Sequence, residues 1–166
     1  MMRQAIFEIE GPVAVRYPRG GEGVFCLDTS GEAVVRLREG SDVTLLGYGI
    51  AINHLLEAAD RLEKEGISAT VIKMNRIAPL EASEVAETLG NTDTLLVLED
   101  AFNEGCVGQR IAAMLSQQGM APKKLLLRNL EKSFAPEGSV AELEHRFGLD
   151  ADGVVSAILE VKHYGQ

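Results

Sequence analysis

The strongest constraint on the fold is the stretch 94–98, in which the apolar run Leu-Leu-Val-Leu follows a threonine. A run this apolar is typical of a strand covered on both faces, as in a parallel sheet between helices. Similar strand candidates alternate with segments of helical spacing from residue 32 onward: strands over 33–37, 43–49, 69–72, 94–98 and 124–127, and helices over 50–65, 81–89, 108–118, 140–147 and 153–163. This alternation implies βαβ crossovers, so we predict a three-layer α/β/α domain with a five-stranded, mostly parallel sheet.

Composition and charge limit the partners that the chain can have. It has 166 residues and a formal net charge of −9, and 46% of its residues are hydrophobic. That length suits about one domain, and an acidic surface argues against broad binding to nucleic acid or anionic membranes. The first ten residues carry acidic side chains where a signal peptide needs an apolar stretch, and no segment approaches a membrane span. We therefore expect a cytoplasmic protein that binds neither nucleic acid nor membrane.

The cysteines and histidines form no recognisable motif. Cys26 and Cys106 lack the spacing of a zinc or redox site, so each is expected to be a buried free thiol in a reducing compartment. His54, His145 and His163 fall in predicted helices with no nucleophile or acidic motif beside them. We expect surface or core-edge histidines and predict no metal site.

Two predicted strand ends carry residues that could perform chemistry. Gly-Tyr-Gly at 47–49 precedes a helix, where phosphate can bind, but the dinucleotide fingerprint would need glycine at Ile52. A tight strand-to-helix turn is the favoured interpretation. Glu99 and Asp100 end the fourth strand, where ligands meet parallel sheets, and could act as acid and base if one carboxyl had a raised pKa. The alternatives are a solvated loop with a helix cap, or an interface with another domain. We predict no complete catalytic constellation.

The N-terminal segment departs from the regular pattern. Residues 12–18 predict a short strand, and 21–31 show no periodicity and are predicted to be a linker. Between them, Arg-Tyr-Pro-Arg-Gly at 16–20 combines two phosphate-binding guanidinium groups with glycines that allow close approach to the backbone. Pro18 restricts the backbone, so Arg19 would point in a defined direction. A surface salt bridge is the alternative.

Residues 11–20 resemble the stretch that closes the pyrimidine-binding domain of the 1-deoxy-D-xylulose-5-phosphate synthase family. The resemblance continues through 38–49, 65–72, 77–80, 97–100 and 147–153, and so covers essentially the whole chain. It implies that residues 1–20 end the preceding pyrimidine-binding domain, 21–31 form a linker, and 32–166 form a transketolase C-terminal-like domain. Arg19 matches the family's substrate-phosphate arginine, whereas Arg16 is better interpreted as part of the strand scaffold.

The resemblance also implies an activity. The family condenses pyruvate with glyceraldehyde 3-phosphate, with loss of carbon dioxide, at the start of a route to isoprenoids that also supplies thiamine and pyridoxal precursors. It uses thiamine diphosphate with magnesium, and neither the diphosphate motif nor the activating glutamate occurs in this chain. We therefore expect the C-terminal part of a transferase, without catalytic or cofactor-binding residues and inactive alone, with the thiamine-diphosphate domains as partner in a homodimer. The alternatives are the small subunit of a split transketolase-like enzyme and a non-catalytic binding or regulatory module.

Two loops depart from the family pattern. Gly-Cys-Val-Gly at 105–108 replaces the usual Gly-Gly-x-Gly, and Leu-Glu-Lys at 130–132 replaces Leu-Pro-Asp. These departures, at Cys106 and Lys132, put the loop conformation and domain contacts in question. They do not involve Arg19.

Overall fold

The structure is a computed structural model, and it describes residues 2–15, 21, 23–25, 31–130, 132 and 134–163. Arg16, Arg19 and Cys26 lie outside the described residues, as does the side chain of His163. The predictions made for those residues stay predictions. The predicted domain boundaries at residues 20 and 31 do so as well.

A five-stranded sheet with the order β1-β3-β2-β4-β5 carries the fold. The strands are β1 (Val34–Arg38), β2 (Val43–Tyr48), β3 (Ala69–Met74), β4 (Thr94–Leu98) and β5 (Lys124–Arg128). The helices are α1 (Met2–Phe7), α2 (Ala51–Lys64), α3 (Ala82–Leu89), α4 (Val107–Gln117), α5 (Val140–Phe147) and α6 (Ala151–His163). β1 runs antiparallel to β3, and all other neighbouring strands are parallel. The predicted mostly parallel sheet is therefore confirmed.

The central strands supply two separate cores on opposite faces of the sheet. In β2, Leu45 packs toward α2 and α6, and the next residue, Leu46, packs toward α3 and α4. In β4, Leu96 and Leu98 face the first core, and Leu95 and Val97 face the second. All five residues of β4 are buried, because successive side chains of a strand point to opposite faces and both faces carry helices. The predicted three-layer α/β/α arrangement is confirmed.

The direction of β1 follows from its short connection to β2. Residues 39–42 separate the two strands, and a connection this short cannot provide the crossover that parallel strands need. Val34, the first residue of β1, consequently pairs with Met74, the last residue of β3. We call the edge where β2, β3, β4 and β5 end the carboxyl edge, and the opposite edge the amino edge. The chain thus enters the sheet at the carboxyl edge.

Local signals mark the ends of α2 and α5. Gly66 follows the C-cap residue Glu65 of α2 with a positive φ of 76°, as a glycine that ends a helix does. α5 begins with a capping box between Ser139 and Glu142 and ends at Gly148, which is left-handed with φ 63°. Among the described residues, no helix is long and apolar enough to cross a membrane.

The N-terminal segment differs from the prediction. The strand predicted over 12–18 is not formed in its described part, residues 12–15, because a strand needs a pairing partner and this segment pairs with none of the five strands of the sheet. Residues 2–7, to which the sequence analysis assigned no element, form α1. Ile6 and Phe7 of α1 are 62% and 78% exposed.

Candidate functional site

A buried carboxylate organises the carboxyl edge. Glu99 directly follows β4 and is only 1% exposed. Its Oε2 accepts a hydrogen bond from the Val107 amide, and its Oε1 accepts one from the Gly108 amide, each at 2.9 Å. The N-cap residue of α4, Cys106, makes no side-chain capping bond. Glu99 therefore caps α4 from the preceding loop and places a negative charge at the positive end of the helix dipole.

Two further polar groups contact this carboxylate. The Tyr48 hydroxyl, at the end of β2, donates a hydrogen bond of 3.2 Å to Glu99 Oε2. Burial raises the pKa of Tyr48, and the charge of Glu99 raises it further. Burial also raises the pKa of the Cys106 thiol, and Glu99 adds to that shift. Both groups stay protonated near neutral pH, so neither is an activated nucleophile or base.

Close packing explains one glycine of the 105–108 motif. A Cβ on Gly108 would lie 2.6 Å from Leu127 Cδ2 and 3.0 Å from Glu99 Oε1. The first turn of α4 thus lies against β5 and the capping carboxylate, with no room for a side chain. The Cys106 side chain, in contrast, occupies a buried position and is a free thiol, which confirms the prediction for this cysteine.

The loop after β4 and the segment after β5 are tied together. Asn129, 5% exposed, donates from Nδ2 to Asn103 Oδ1 at 3.2 Å, and the Leu130 amide donates to the Ala101 carbonyl at 2.9 Å. The two loops therefore form one hydrogen-bonded unit.

Lys132, one of the two departures from the family pattern, takes part in the same connection. Its Nζ lies 3.0 Å from Glu104 Oε1, and both side chains are exposed. This hydrogen bond to Lys132 lowers the pKa of Glu104. An exposed pair of this kind adds little stability by itself, so its effect is to link the two loops.

These contacts bear on the interpretation of Glu99. Glu99 is a helix cap, as one alternative held, but a solvated loop is wrong for this residue because it is buried. Asp100 is exposed. The sequence does not reveal Tyr48 as a partner of Glu99, because only the pairing of β2 with β4 brings the two residues together. Gly49, with φ 60°, forms the tight turn predicted for 47–49.

The buried carboxylate at the carboxyl edge is engaged with donors of the protein itself. Glu99 is 1% exposed, and its two oxygens together accept three hydrogen bonds from protein donors, so this carboxylate makes internal contacts and is not presented to a metal ion or a cofactor. We therefore derive no cofactor chemistry from the described residues.

A second acidic cluster lies where α5 meets α6. His145, Asp150 and Asp152 bring their ligand atoms within 4.8 Å of one another. Each is partnered within the protein: Asp150 Oδ1 accepts from the Gly153 amide at 2.8 Å, Asp150 Oδ2 contacts His145 Nδ1 at 2.7 Å, and Asp152 pairs with Arg61. The cluster is therefore interpreted as a helix cap with ion pairs.

The same cluster gives a pH-dependent prediction. The hydrogen bond with Asp150 raises the pKa of His145. Burial alone would raise the pKa of Asp150, but the Gly153 amide and His145 outweigh it and lower that pKa. We expect the nuclear magnetic resonance titration of His145 to have its midpoint above the ordinary value of about 6.5.

A variant of Asp150, the partner of His145, and the pH dependence of stability complete this test. Asp150→Asn keeps a capping side chain and should lower the His145 midpoint toward its ordinary value, although Asp152 still raises it, whereas Glu160→Gln on α6 should leave the midpoint unchanged. Because the pKa of His145 is raised in the folded state, the stabilisation from its pair with Asp150 is fully present below the ordinary histidine pKa. It is lost as the pH rises through the folded-state pKa of His145. Because the pKa of Asp150 is lowered in the folded state, the stabilisation that its ionised carboxylate contributes is lost as the pH falls through the folded-state pKa of Asp150. Equal midpoints in the wild type and Asp150→Asn would contradict the pair.

An open groove of about 740 Å³ lies at the amino edge. Its four cationic side chains already contact protein oxygens: Arg36 with Glu39 at 3.1 Å, Lys123 with Asp93 at 2.8 Å, Lys124 with the Val161 carbonyl at 2.9 Å, and Lys162 with Asp42 at 3.8 Å. Because these cations have partners, we assign the groove no ligand.

Curated relatives give the fold a family context. The chain is 39% identical over 158 residues to a protein of Thioalkalivibrio sulfidiphilus named 1-deoxy-D-xylulose-5-phosphate synthase, covering 92% of this chain and 24% of that protein. A synthase of the same name from Natranaerobius thermophilus is 32% identical over 167 residues, covering 96% of this chain and 26% of the relative. The resemblance to this synthase family is thereby confirmed. The chain spans about a quarter of the length of these relatives.

Solved structures and a family model agree with this result. A structure described as "Split gene transketolase, inactive beta4 tetramer" is similar with a TM-score of 0.68 and 30% identity, covering 76% of this chain and 41% of that chain. A transketolase from Campylobacter jejuni has the same fold with a TM-score of 0.55 at 22% identity, covering 77% of this chain and 18% of that chain. The model of the transketolase C-terminal domain matches residues 31–154. With its two helix layers and mostly parallel sheet, the chain belongs to the transketolase C-terminal domain family.

Proposed function

We propose that this chain is the C-terminal part of a synthase that condenses pyruvate with glyceraldehyde 3-phosphate, releasing carbon dioxide and forming 1-deoxy-D-xylulose 5-phosphate for isoprenoid and thiamine synthesis. The observation that carries the proposal is the match to synthases of that name, which covers 92% to 96% of this chain but only 24% to 26% of their length. The part matched here would therefore be one domain of a larger enzyme.

In this proposal the catalytic work belongs to the preceding part of the enzyme. Thiamine diphosphate with magnesium supplies the carbanion chemistry when bound there. The burial of Glu99 and its three hydrogen bonds support this division, because the carboxylate at the carboxyl edge is engaged in capping α4. The enzyme would act in the cytoplasm as a homodimer, with Arg19 binding the phosphate of the aldehyde substrate.

A split enzyme is the second candidate. It is favoured by the similarity to the structure described as a split gene transketolase, at 30% identity. In that case this chain would be the smaller subunit, and the thiamine-diphosphate domains would lie on a separate chain. A free-standing binding or regulatory module is the third candidate, and no ligand-specific arrangement within the described part of the chain supports it.

Complementation tests the proposal directly. The 166-residue chain alone is expected to bind no thiamine diphosphate in calorimetry and to release no carbon dioxide from pyruvate. Mixing it with a chain that carries the two preceding domains of the Thioalkalivibrio sulfidiphilus relative should produce the deoxyxylulose phosphate. Tight cofactor binding by the isolated chain, or a mixture that forms a complex without making product, would contradict the proposed function.

Arg19→Ala tests the phosphate-binding role in the complemented enzyme. Because a charge-assisted contact to phosphate is worth about 1.5–3 kcal/mol, the KM for glyceraldehyde 3-phosphate should rise by about tenfold or more, and the KM for pyruvate should stay the same. Arg16→Ala is the matched control from the same motif: it can lower the amount of assembled enzyme but should leave both KM values unchanged. An unaltered aldehyde KM in Arg19→Ala would remove this residue from the site.

A further inference from the structure

The carboxyl edge exposes large apolar side chains. Phe134 is 92% exposed, Phe102 is 49% exposed and Ile77 is 42% exposed. They follow β5, β4 and β3, all of which end at this edge. Outside the N-terminal 24 residues, these are three of the four described large apolar residues that are exposed, the fourth being Val140. The exposed apolar surface of the domain is therefore concentrated at one edge.

The two phenylalanines contact each other on loops that are hydrogen-bonded together. Their rings meet edge to face, with centroids 6.4 Å apart and planes at 80°. The loops that carry them are joined by the Asn129–Asn103 hydrogen bond and the Lys132–Glu104 pair. A surface held in place before binding loses little conformational entropy when a partner covers it. We call Phe102, Phe134 and Ile77, which are all exposed at the carboxyl edge, the aromatic ridge.

The chain that precedes the domain reaches the same edge. Because β1 is antiparallel to β3, its first residue lies beside Met74, the last residue of β3. The incoming segment is anchored there as well: the Phe25 amide donates to Asn53 Oδ1 at 2.9 Å, and Lys73 Nζ lies 5.3 Å from the centre of the Phe25 ring. Asn53 is in the first turn of α2, which follows the end of β2. Whatever precedes residue 23 is therefore tethered at the carboxyl edge.

The length of the relatives indicates what is tethered there. The matched region is a C-terminal domain, and the curated relatives are about four times longer, so about three quarters of such an enzyme precedes this part. We propose that the aromatic ridge is the surface on which the preceding, cofactor-carrying part of the enzyme docks, whether on the same chain or on a separate subunit. This inference rests on the proposed function and adds to it a binding surface for its partner.

Binding to the preceding part, measured without substrates, tests the inference. The partner is the chain carrying the preceding domains of the Thioalkalivibrio sulfidiphilus relative, and the affinity is measured by sedimentation. Large aromatic side chains at the centre of an interface dominate affinity, so Phe102→Ser with Phe134→Ser should weaken binding at least tenfold. Lys123→Ser, at the amino edge and 76% exposed, should change the affinity less than twofold. The isolated double variant should unfold at nearly the wild-type temperature, since neither ring is in the core.

A second measurement avoids dependence on a separately folded partner. In a single-chain chimera that joins residues 21–166 to the preceding domains of the relative, amide hydrogen exchange over 99–106 and 129–134 should be slower than in the isolated chain. Exchange in the amino-edge turn 90–93 should be the same in both. Three outcomes would each overturn the inference. The first is equal exchange of the ridge loops in the chimera and the isolated chain, and the second is an affinity that the double variant leaves unchanged. The third is self-association of the 166-residue chain through the ridge that the partner does not displace.

These outcomes separate the inference from the proposed function. A complex that depends on the ridge but makes no deoxyxylulose phosphate would contradict the function and leave the docking surface standing. An active enzyme whose assembly is unchanged by the Phe102→Ser and Phe134→Ser double variant would contradict the docking surface and leave the proposed function standing.

Discussion

Replacing Glu99 with alanine is expected to lower the free energy of unfolding by about 3 kcal/mol, because several buried donors lose their acceptor at once. The Val107 and Gly108 amides have no intrahelical partner in the first turn of α4, and both donate to Glu99 at 2.9 Å. The Tyr48 hydroxyl donates to the same carboxylate at 3.2 Å. For a domain of this length, such a loss corresponds to a fall in Tm of about 6–12 °C.

Two variants separate capping from a general effect of charge removal. Glu99→Gln keeps the shape but turns an NH2 group toward one of the amide donors, so we expect about half of the alanine effect. Asp100→Asn removes a charge from the neighbouring exposed position and should change the stability by less than about 0.5 kcal/mol.

Urea unfolding measures the difference in the free energy of unfolding between the variants, provided that its dependence on urea concentration is the same for all of them. Hydrogen exchange of the Val107 and Gly108 amides shows where the stability is lost. If Glu99→Ala were no more destabilising than Asp100→Asn, or if those two amides kept their protection, Glu99 would not be the cap of α4.

The layered sheet could be predicted from the sequence because its signals are local. The apolar run at 94–98 marks a strand covered on both faces, and Gly66 marks the end of α2, so neither inference needs a tertiary contact. The helix 140–147 was bounded correctly for the same reason, since its capping box and its terminal glycine lie next to it in the chain.

The site could not be predicted in the same way, because its contacts join distant parts of the chain. Tyr48 and Glu99 are 51 residues apart and meet only because β2 and β4 are neighbours in the sheet. A Glu-Asp pair after a strand is typical of a solvated loop, and its sequence contains nothing to indicate that Glu99 is buried beneath the first turn of α4. The meeting of Phe102 with Phe134 likewise depends on the pairing of β4 with β5.

Gly153→Ala is expected to destabilise the domain by about 3 kcal/mol, although the same change in an ordinary helix interior stabilises by about 1 kcal/mol. A Cβ on Gly153 would lie 2.3 Å from the carbonyl oxygen and 2.4 Å from the Cα of Gly148. These are backbone atoms, so no side-chain rotation can relieve the overlap, and α6 would have to move away from the end of α5.

The surrounding contacts make that movement costly. Gly148 is held in the left-handed region at φ 63°, and its amide donates to the His145 carbonyl at 3.1 Å. The Asp150 carboxylate caps α6 by accepting from the Gly153 amide at 2.8 Å. Separating the two helices would strain this turn and loosen the packing of α6 against α2, where Val154 and Ile158 are fully buried.

Ser156→Ala is the matched control, because it introduces alanine at an exposed position of the same helix. It should change the stability by less than about 0.5 kcal/mol, whereas Gly153→Ala should lower Tm by about 6–12 °C. The sign is the decisive observation: a Gly153→Ala protein as stable as the wild type, or more stable, would mean that α5 and α6 do not approach each other through their glycines.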